Sequence, residues 1–160
     1  MRRIIRISSI IVIVLLLQNR CPAQFRYDRY QPARLDTINF LPVHLLNDTC
    51  RFVVLDTDTP LRADVYYTDS IRTIDSLSAV VIADWCTEVI HNPDAIGLFE
   101  QEVLVYEGNV PLWIPVQKQL VPALKKEVMK DQLVWIYVNV AGATKSRIVF
   151  TLNEFETLEH

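Results

Sequence analysis

Alternation of apolar and polar residues is clearest in the C-terminal third of the chain. Four strands are predicted there, at Phe99 to Tyr106, Val110 to Val116, Leu133 to Val140 and Arg147 to Phe155. The turn Glu107-Gly108-Asn109 joins the first two into a β-hairpin, and Ala141 to Lys145 is expected to form the turn between the last two. This part of the chain therefore predicts antiparallel β-structure.

An amphipathic helix is predicted between the two strand pairs. Apolar residues recur there every four positions, at Val116, Leu120, Leu124 and Val128. Proline is well tolerated only in the first turn of a helix. Because Pro122 lies in this window, we expect the regular helix to begin near Val121.

The region from Thr73 to Ile90 fits two kinds of structure. Apolar residues again recur every four positions, at Leu77, Val81, Trp85 and Val89. This spacing favours a helix, which Thr73 or Asp75 could cap. The apolar run Ala79 to Ala83 also suits a buried strand. We expect a helix and keep a strand as the alternative over residues 77–90.

The N-terminal half predicts shorter strands. Thr37 to Leu45 is rich in apolar residues, but Pro42 limits it to an edge strand or an interrupted strand. Cys50 to Leu55 has the pattern of a short buried strand, and Leu61 to Thr68 that of a further strand. Together with the C-terminal elements, these segments predict an α+β domain that is mainly antiparallel β.

The architecture that we expect is a small OB-like or SH3-like barrel, because closing the sheet removes its exposed edges. A half-open sheet packed by one or two helices is the alternative. No repeat or Gly/Ser linker divides the chain, so residues 35–160 are expected to form a single β-rich globular domain. Residues 24–34, rich in Arg, Tyr and Gln, are expected to be a flexible leader or an edge strand.

The first 23 residues have the pattern of a secretory signal peptide. Arg2, Arg3 and Arg6 precede an apolar run of 11 residues, and Cys21-Pro22-Ala23 places small residues before a cut ahead of Gln24. A membrane-spanning helix needs about 20 apolar residues. We therefore expect the protein to be secreted or periplasmic, with no stable membrane span after cleavage.

Removal of the signal peptide changes the charge. Four of the 16 basic residues leave, so 12 basic residues remain against 19 acidic ones, a net charge of −7. Binding to nucleic acid requires an excess of Lys and Arg. Nucleic acid is therefore excluded as an expected partner.

Two cysteines, Cys50 and Cys86, remain after cleavage. In an oxidising compartment such a pair favours a disulfide, which would close a loop of about 37 residues and stabilise the fold by roughly 4 kcal/mol. Free buried cysteines are one alternative. The other is a Cys86 nucleophile with His44 or His91 as its base.

The densest polar cluster in the sequence comprises Asp84, Glu88, His91 and Asp94, around Cys86. Cys, His and carboxylate side chains can hold zinc, but the spacing matches no zinc signature, and we expect no metal and no cofactor. A G-x-S-x-G motif, a P-loop and an H-E-x-x-H motif are all absent from the sequence. Glu100 and Glu102 have the pattern of a solvated strand face.

These observations predict an exported, non-catalytic β-rich module that binds a protein or an envelope component. The seven tyrosines and tryptophans that could form a binding face are Tyr27, Tyr30, Tyr66, Tyr67, Trp113, Trp135 and Tyr137, although we expect both tryptophans in the core. A small secreted hydrolase that uses the polar cluster around His91 is the alternative function. The end Leu158-Glu159-His160 is either native or the remnant of a histidine tag.

Overall fold

The structure, a computed structural model, describes residues 25–39, 46, 51–57 and 59–158. The regular elements in these ranges are, in chain order, β1 (Gln31–Pro32), α1 (Leu35–Asn39), β2 (Phe52–Val54), β3 (Leu61–Thr73), α2 (Ser76–Glu88), β4 (Gln101–Glu107), β5 (Val110–Val116), α3 (Val121–Glu127), β6 (Leu133–Thr144) and β7 (Ile148–Thr157). Short 3-10 helices lie at Tyr27–Arg29 and Pro93–Leu98.

Five strands close into a barrel in the order β3-β4-β5-β7-β6, with β6 pairing back onto β3. The pair β5–β7 is parallel, at Val116 and Leu152, and the other four barrel pairs are antiparallel. This Greek-key order makes the barrel OB-like. The prediction of a mainly antiparallel α+β domain with a small barrel is confirmed.

Strand β3 makes the closure possible because it serves two neighbours. Its first half, Leu61 to Tyr66, pairs with β6, and its second half, Tyr66 to Thr73, pairs with β4. The register shifts between Tyr67 and Ile71, where Asp69 has a φ of 61°. A bulge of this kind bends a strand. The bend also explains why the strand continues beyond Thr68, the end that its sequence pattern predicts.

Two apolar cores lie on opposite sides of β6 and β7. The larger core fills the barrel and includes Val65, Ile114, Ile136, Phe150 and Leu152. The smaller core lies between α2 and the outer side of the barrel, where Val81, Ile82, Trp85 and Cys86 contact a group that includes Phe99, Ala141 and Val149. Burial on both faces explains why β7 begins with five consecutive buried residues rather than an alternating pattern.

The predicted helix over residues 73–90 is confirmed as α2, and the strand alternative is wrong. Asp75 caps the helix by accepting hydrogen bonds from the backbone N–H groups of Leu77 and Ser78, both at 3.0 Å. The prediction that α3 starts near Val121, with Pro122 in its first turn, is confirmed, as is the β4–β5 hairpin.

Strand β6 is longer than predicted. The residues expected to turn, Ala141 to Lys145, continue the strand as far as Thr144, because β2 pairs with them on one side and β7 on the other. A sequence pattern could not show this extension, since the pairing partners are about 90 residues upstream.

The segment predicted as a leader lies against the barrel. Phe25, Tyr27 and Tyr30 surround the ring of Tyr137, with ring centroids 4.9 to 5.6 Å from it. Gln31–Pro32 then pairs in parallel with the start of β3, which is the edge-strand alternative for this segment. Aromatic packing and this pairing hold the segment in place.

A strand was expected at Thr37 to Leu45, and for the first residues of that range this is wrong. Thr37 lies in α1, which begins at Leu35, and Leu35 is fully buried in the barrel core. Residues 40–45 lie outside the described part of the chain, as do the signal peptide, His44 and Cys50.

We expect the free energy of unfolding to fall as the pH rises from 10 to 12. Tyr67 is 1% exposed and donates its hydroxyl hydrogen to Asp69 Oδ1 at 3.2 Å; burial is the main cause that raises its pKa to about 12. A phenol whose pKa is higher in the folded state stabilises the fold below pH 10 and loses that contribution as the pH approaches 12. The slope is on the order of 1 kcal/mol per pH unit.

Urea unfolding at fixed pH values between 9 and 12 tests this expectation. Tyr67→Phe should make the decline shallower without abolishing it, because burial also raises the pKa of Tyr137. Equal slopes for Tyr67→Phe and the wild type would contradict the assignment to Tyr67.

Candidate functional site

A buried cluster of charges joins three parts of the barrel. Glu102 on β4 has no exposed surface, and its neighbour across the strand pair is Arg72 on β3, which donates to Glu102 Oε1 at 2.5 Å. Arg147, in the turn between β6 and β7, donates to Glu102 Oε2 at 2.9 Å. The carboxylate of Glu102 is therefore bound from both sides by guanidinium groups.

Arg147 also holds the start of α2. Its Nη2 donates to Ser78 Oγ at 2.7 Å and pairs with the carboxylate of Asp75, which is the residue that caps the helix. Its Nη1 donates to the backbone carbonyl of Trp113 on β5, at 3.0 Å. One side chain thus connects the β6–β7 turn, α2, β4 and β5.

The positive and negative formal charges of this cluster cancel each other. Burial raises the pKa of Glu102, and the hydrogen bond and charge of Arg72 oppose that rise. Burial also lowers the pKa of Arg147, to about 10, so this arginine stays cationic at neutral pH. Two cations and two carboxylates, with Asp75 as the second, sum to zero charge. The cluster therefore acts as a structural brace, and its central carboxylate is inaccessible to a substrate.

A cleft of about 380 Å³ opens beside this brace. Its walls include Arg72 and Arg147, Ser146 of the β6–β7 turn, and Pro111 and Trp113 of β5. Arg72 lies over the indole of Trp113, with its Cζ 3.9 Å from the ring centroid. The cleft thus has one aromatic wall and one polar wall.

Next to the cleft, the outer surface of the barrel carries a set of apolar and aromatic side chains. Tyr66 on β3 and Tyr106 on β4 are directly opposite each other and are 46% and 38% exposed. Tyr106 is opposite Pro111 on β5, and Leu104 is opposite Trp113. We call these five residues the aromatic face. It is continuous with the cleft, since Pro111 and Trp113 belong to both.

The sequence predicts Trp113 and Trp135 in the core, and the structure places them on the outside of the barrel. Trp113 and Trp135 are half-buried, and each is covered by an arginine. Arg72 covers Trp113, and Arg62 covers Trp135, with its Cζ 4.3 Å from the ring centroid.

The solvated strand face predicted for Glu100 and Glu102 is correct for Glu100 only. Glu102 points outward but is covered by Arg72 and Arg147.

The predicted polar cluster lies along the C-terminal end of α2 and the following turn. Asp84 is half-buried, whereas Glu88, His91 and Asp94 are exposed. In the part of the chain that the structure describes, no three His, Cys, Asp or Glu side chains are grouped so that they could hold a metal ion.

Cys86 is buried in the core under α2 and forms no disulfide with a residue in the described part of the chain, and burial raises the pKa of its thiol. A thiol in such surroundings is a poor nucleophile, because the thiolate is the reactive form. Its predicted disulfide partner, Cys50, lies outside the described residues, so the disulfide stays a prediction.

Sequence reasoning missed Arg72 and Arg147, the two residues that organise the cleft. No motif surrounds either of them, and their common partner Glu102 is 30 and 45 positions away. The one signal in the sequence was the aromatic composition, which offered Tyr66 as part of a binding face, although Trp113 was expected in the core.

Comparison of the chain with protein-family models and with curated proteins finds no match. Among the described residues, no helix is long and apolar enough to cross a membrane.

Proposed function

We propose that the protein is an exported, non-catalytic barrel module that binds a partner protein or another envelope component through its aromatic face. The observation that carries the proposal is the exposed pair Tyr66 and Tyr106, which lie opposite each other and continue through Pro111 and Trp113 into the cleft. Tyrosine, tryptophan and arginine are the side chains most enriched at binding hot spots.

Rigid support strengthens this proposal. Tyr66, Tyr106 and Pro111 occupy paired positions on three adjacent strands of the barrel, so their positions are set before a partner arrives. Aromatic side chains on a rigid scaffold lose little conformational entropy when they are buried in an interface. The aromatic face also ends at Arg72, whose half-exposed guanidinium offers a polar contact at the rim.

Two further observations support a binding role over catalysis. The thiol of Cys86 is buried and its pKa is raised, and the carboxylate of Glu102 has no exposed surface.

The export of the protein is supported by the signal-peptide pattern of residues 1–23.

Photo-crosslinking followed by measurement of affinity tests the proposal. A photoreactive amino acid at position 106, in the protein expressed in its own organism, should yield a specific crosslinked partner. The same amino acid at Ile96, an exposed apolar residue on the turn after α2, is the matched control and should not. The partner is then purified and titrated by calorimetry against the uncrosslinked protein.

The double variant Tyr66→Ser/Tyr106→Ser should bind this partner at least tenfold more weakly than the wild type, because two central aromatic contacts are lost. Both side chains are exposed, so the fold should be retained, as circular dichroism can verify. Unchanged affinity of the double variant, or equal crosslinking from positions 96 and 106, would contradict the proposal.

A further inference from the structure

Trp135 on β6, on the outside of the barrel, lies between two carboxylates. The strand register places Asp64 of β3 directly opposite Trp135 on one side and Glu156 of β7 directly opposite it on the other. Both acids are exposed, and Trp135 is half-buried. Residues directly opposite each other on neighbouring antiparallel strands have Cβ atoms about 5 Å apart. The indole ring is therefore the centre of a row that runs acid, aromatic ring, acid across three strands.

A cation of the chain itself lies on this ring. The guanidinium Cζ of Arg62 on β3 is 4.3 Å from the centroid of the Trp135 ring. At this distance the guanidinium is attracted by the negative face of the indole. Arg62 forms no ion pair with a carboxylate in the described part of the chain. The ring thus accepts a guanidinium group, and no carboxylate fixes that group in place.

The stack of Arg72 on Trp113 shows the contrast. Its geometry is similar, with 3.9 Å from Cζ to the ring centroid, but Arg72 is also bound to the fully buried carboxylate of Glu102. Moving Arg72 off its indole would take one partner from a buried charge, which is costly. Arg62 can leave Trp135 at the cost of the cation–π contact alone. Of the two stacks, the one on Trp135 is the one that can open.

The charges on these three strands favour a second cation. Glu154 of β7 is directly opposite Tyr137, two residues along β6 from Trp135. The Tyr137 hydroxyl donates to Glu156 Oε2 at 2.8 Å, which helps to fix that carboxylate beside the indole. With Asp64, the outward positions around the ring carry three carboxylates against the single guanidinium of Arg62. A cation from outside the chain therefore meets an excess of negative charge here.

We propose that Trp135, Asp64 and Glu156 form a binding site for an arginine side chain of a partner protein, which displaces Arg62 from the indole. A planar guanidinium stacks on an aromatic ring and donates to carboxylates at its edges at the same time. Arg62 makes the stacking contact without an ion pair, whereas an incoming arginine can make both. None of these residues belongs to the aromatic face, so this site is a second contact surface for a basic segment.

NMR titration of the isotope-labelled mature chain with an acetylated, amidated tetra-arginine peptide tests the site. The indole N–H signal of Trp135 should shift progressively, and that of Trp113 should stay in place because Glu102 holds Arg72 on it. Tetra-lysine, which has the same charge, should bind more weakly because its ammonium groups cannot stack on a ring as a planar group does. Equal shifts of the two indole signals, or equal affinity for the two peptides, would overturn the proposal.

The double variant Asp64→Asn/Glu156→Gln should bind tetra-arginine at least about tenfold more weakly than the wild type, because both carboxylate acceptors are lost. Asp94→Asn/Glu127→Gln, which removes two exposed acids elsewhere, is the matched control with the same change in net charge and should bind as the wild type does. All four side chains are exposed, so both variants should fold. An equal loss of affinity in the two variants would mean unspecific attraction to an acidic protein and would refute the site.

Arg62→Ala tests the displacement itself. This variant should bind tetra-arginine about two- to fivefold more tightly than the wild type, because no internal guanidinium competes for the indole. Unchanged or weaker binding would show that Arg62 is not displaced. The variant Tyr66→Ser/Tyr106→Ser of the aromatic face should bind the peptide as the wild type does, and a loss there would place the arginine on the aromatic face instead. The two proposals therefore fail independently.

Discussion

Replacing Arg147 with methionine should lower the free energy of unfolding by about 3 kcal/mol. The substitution leaves Glu102, which has no exposed surface, with one guanidinium partner instead of two. It also removes the donors for Ser78 Oγ and for the carbonyl of Trp113. Breaking a buried ion pair by removing one partner typically costs 3–5 kcal/mol, and Arg72 keeps the effect at the lower end.

Urea denaturation measures this loss, and two further variants identify its cause. Adding Glu102→Gln to the Arg147→Met variant should recover part of the stability, because the uncompensated charge is then gone. Arg26→Met removes an arginine from a solvent-exposed ion pair with Asp28 and should leave stability nearly unchanged. If Arg147→Met is as mild as Arg26→Met, the brace is not a structural element.

Gly142→Ala should destabilise the protein by about 3 kcal/mol, for a steric reason. A Cβ atom at this position would collide with the carbonyl oxygen of Val53 on β2 and would lie 2.7 Å from Cγ1 of Val81 on α2. The carbonyl oxygen of Val53 belongs to the backbone and cannot rotate away, so β2 or β6 must shift. Overpacking of this kind costs about 1–3 kcal/mol, and more where backbone must move.

Gly97→Ala is the matched control for this steric argument. Nothing lies within 4 Å of a Cβ atom at Gly97, and its backbone does not require glycine, so the change should be neutral or slightly stabilising. Thermal unfolding of both variants compares them directly. Equal melting temperatures would mean that β2 and α2 do not pack on β6 as closely as described.

Local patterns predicted most of the regular elements correctly. The β4–β5 hairpin follows from alternation around Gly108, which has a φ of 58°. The cap at Asp75 and the proline in the first turn of α3 follow from backbone groups that only certain residues satisfy at helix starts. These signals depend on residues within one or two turns of each other, so the sequence contains them.

The sequence predicted much less of the candidate site than of the regular elements. Periodicity shows that Glu102 and Tyr106 share a strand face, since they are four residues apart on β4. It does not show that Arg147 and the start of α2 cover one end of that face and leave the other end open. Which end of this strand face is covered depends on residues up to 45 positions away in the sequence, and these residues meet only when the barrel closes.

By its own pattern, the sequence determined the mainly antiparallel α+β composition, the positions of α2 and α3, and the excess of acid over base, because these depend on local geometry and on composition. The tertiary structure alone decided the strand order, the double pairing of β3 and the burial of Glu102 between two arginines. It also decided the docking of Leu35 in the barrel core and the hydrogen bond from the backbone N–H of Asp36 to Glu107. The physical reason is that each of these contacts joins segments far apart in the chain, and barrel closure selects which of them meet.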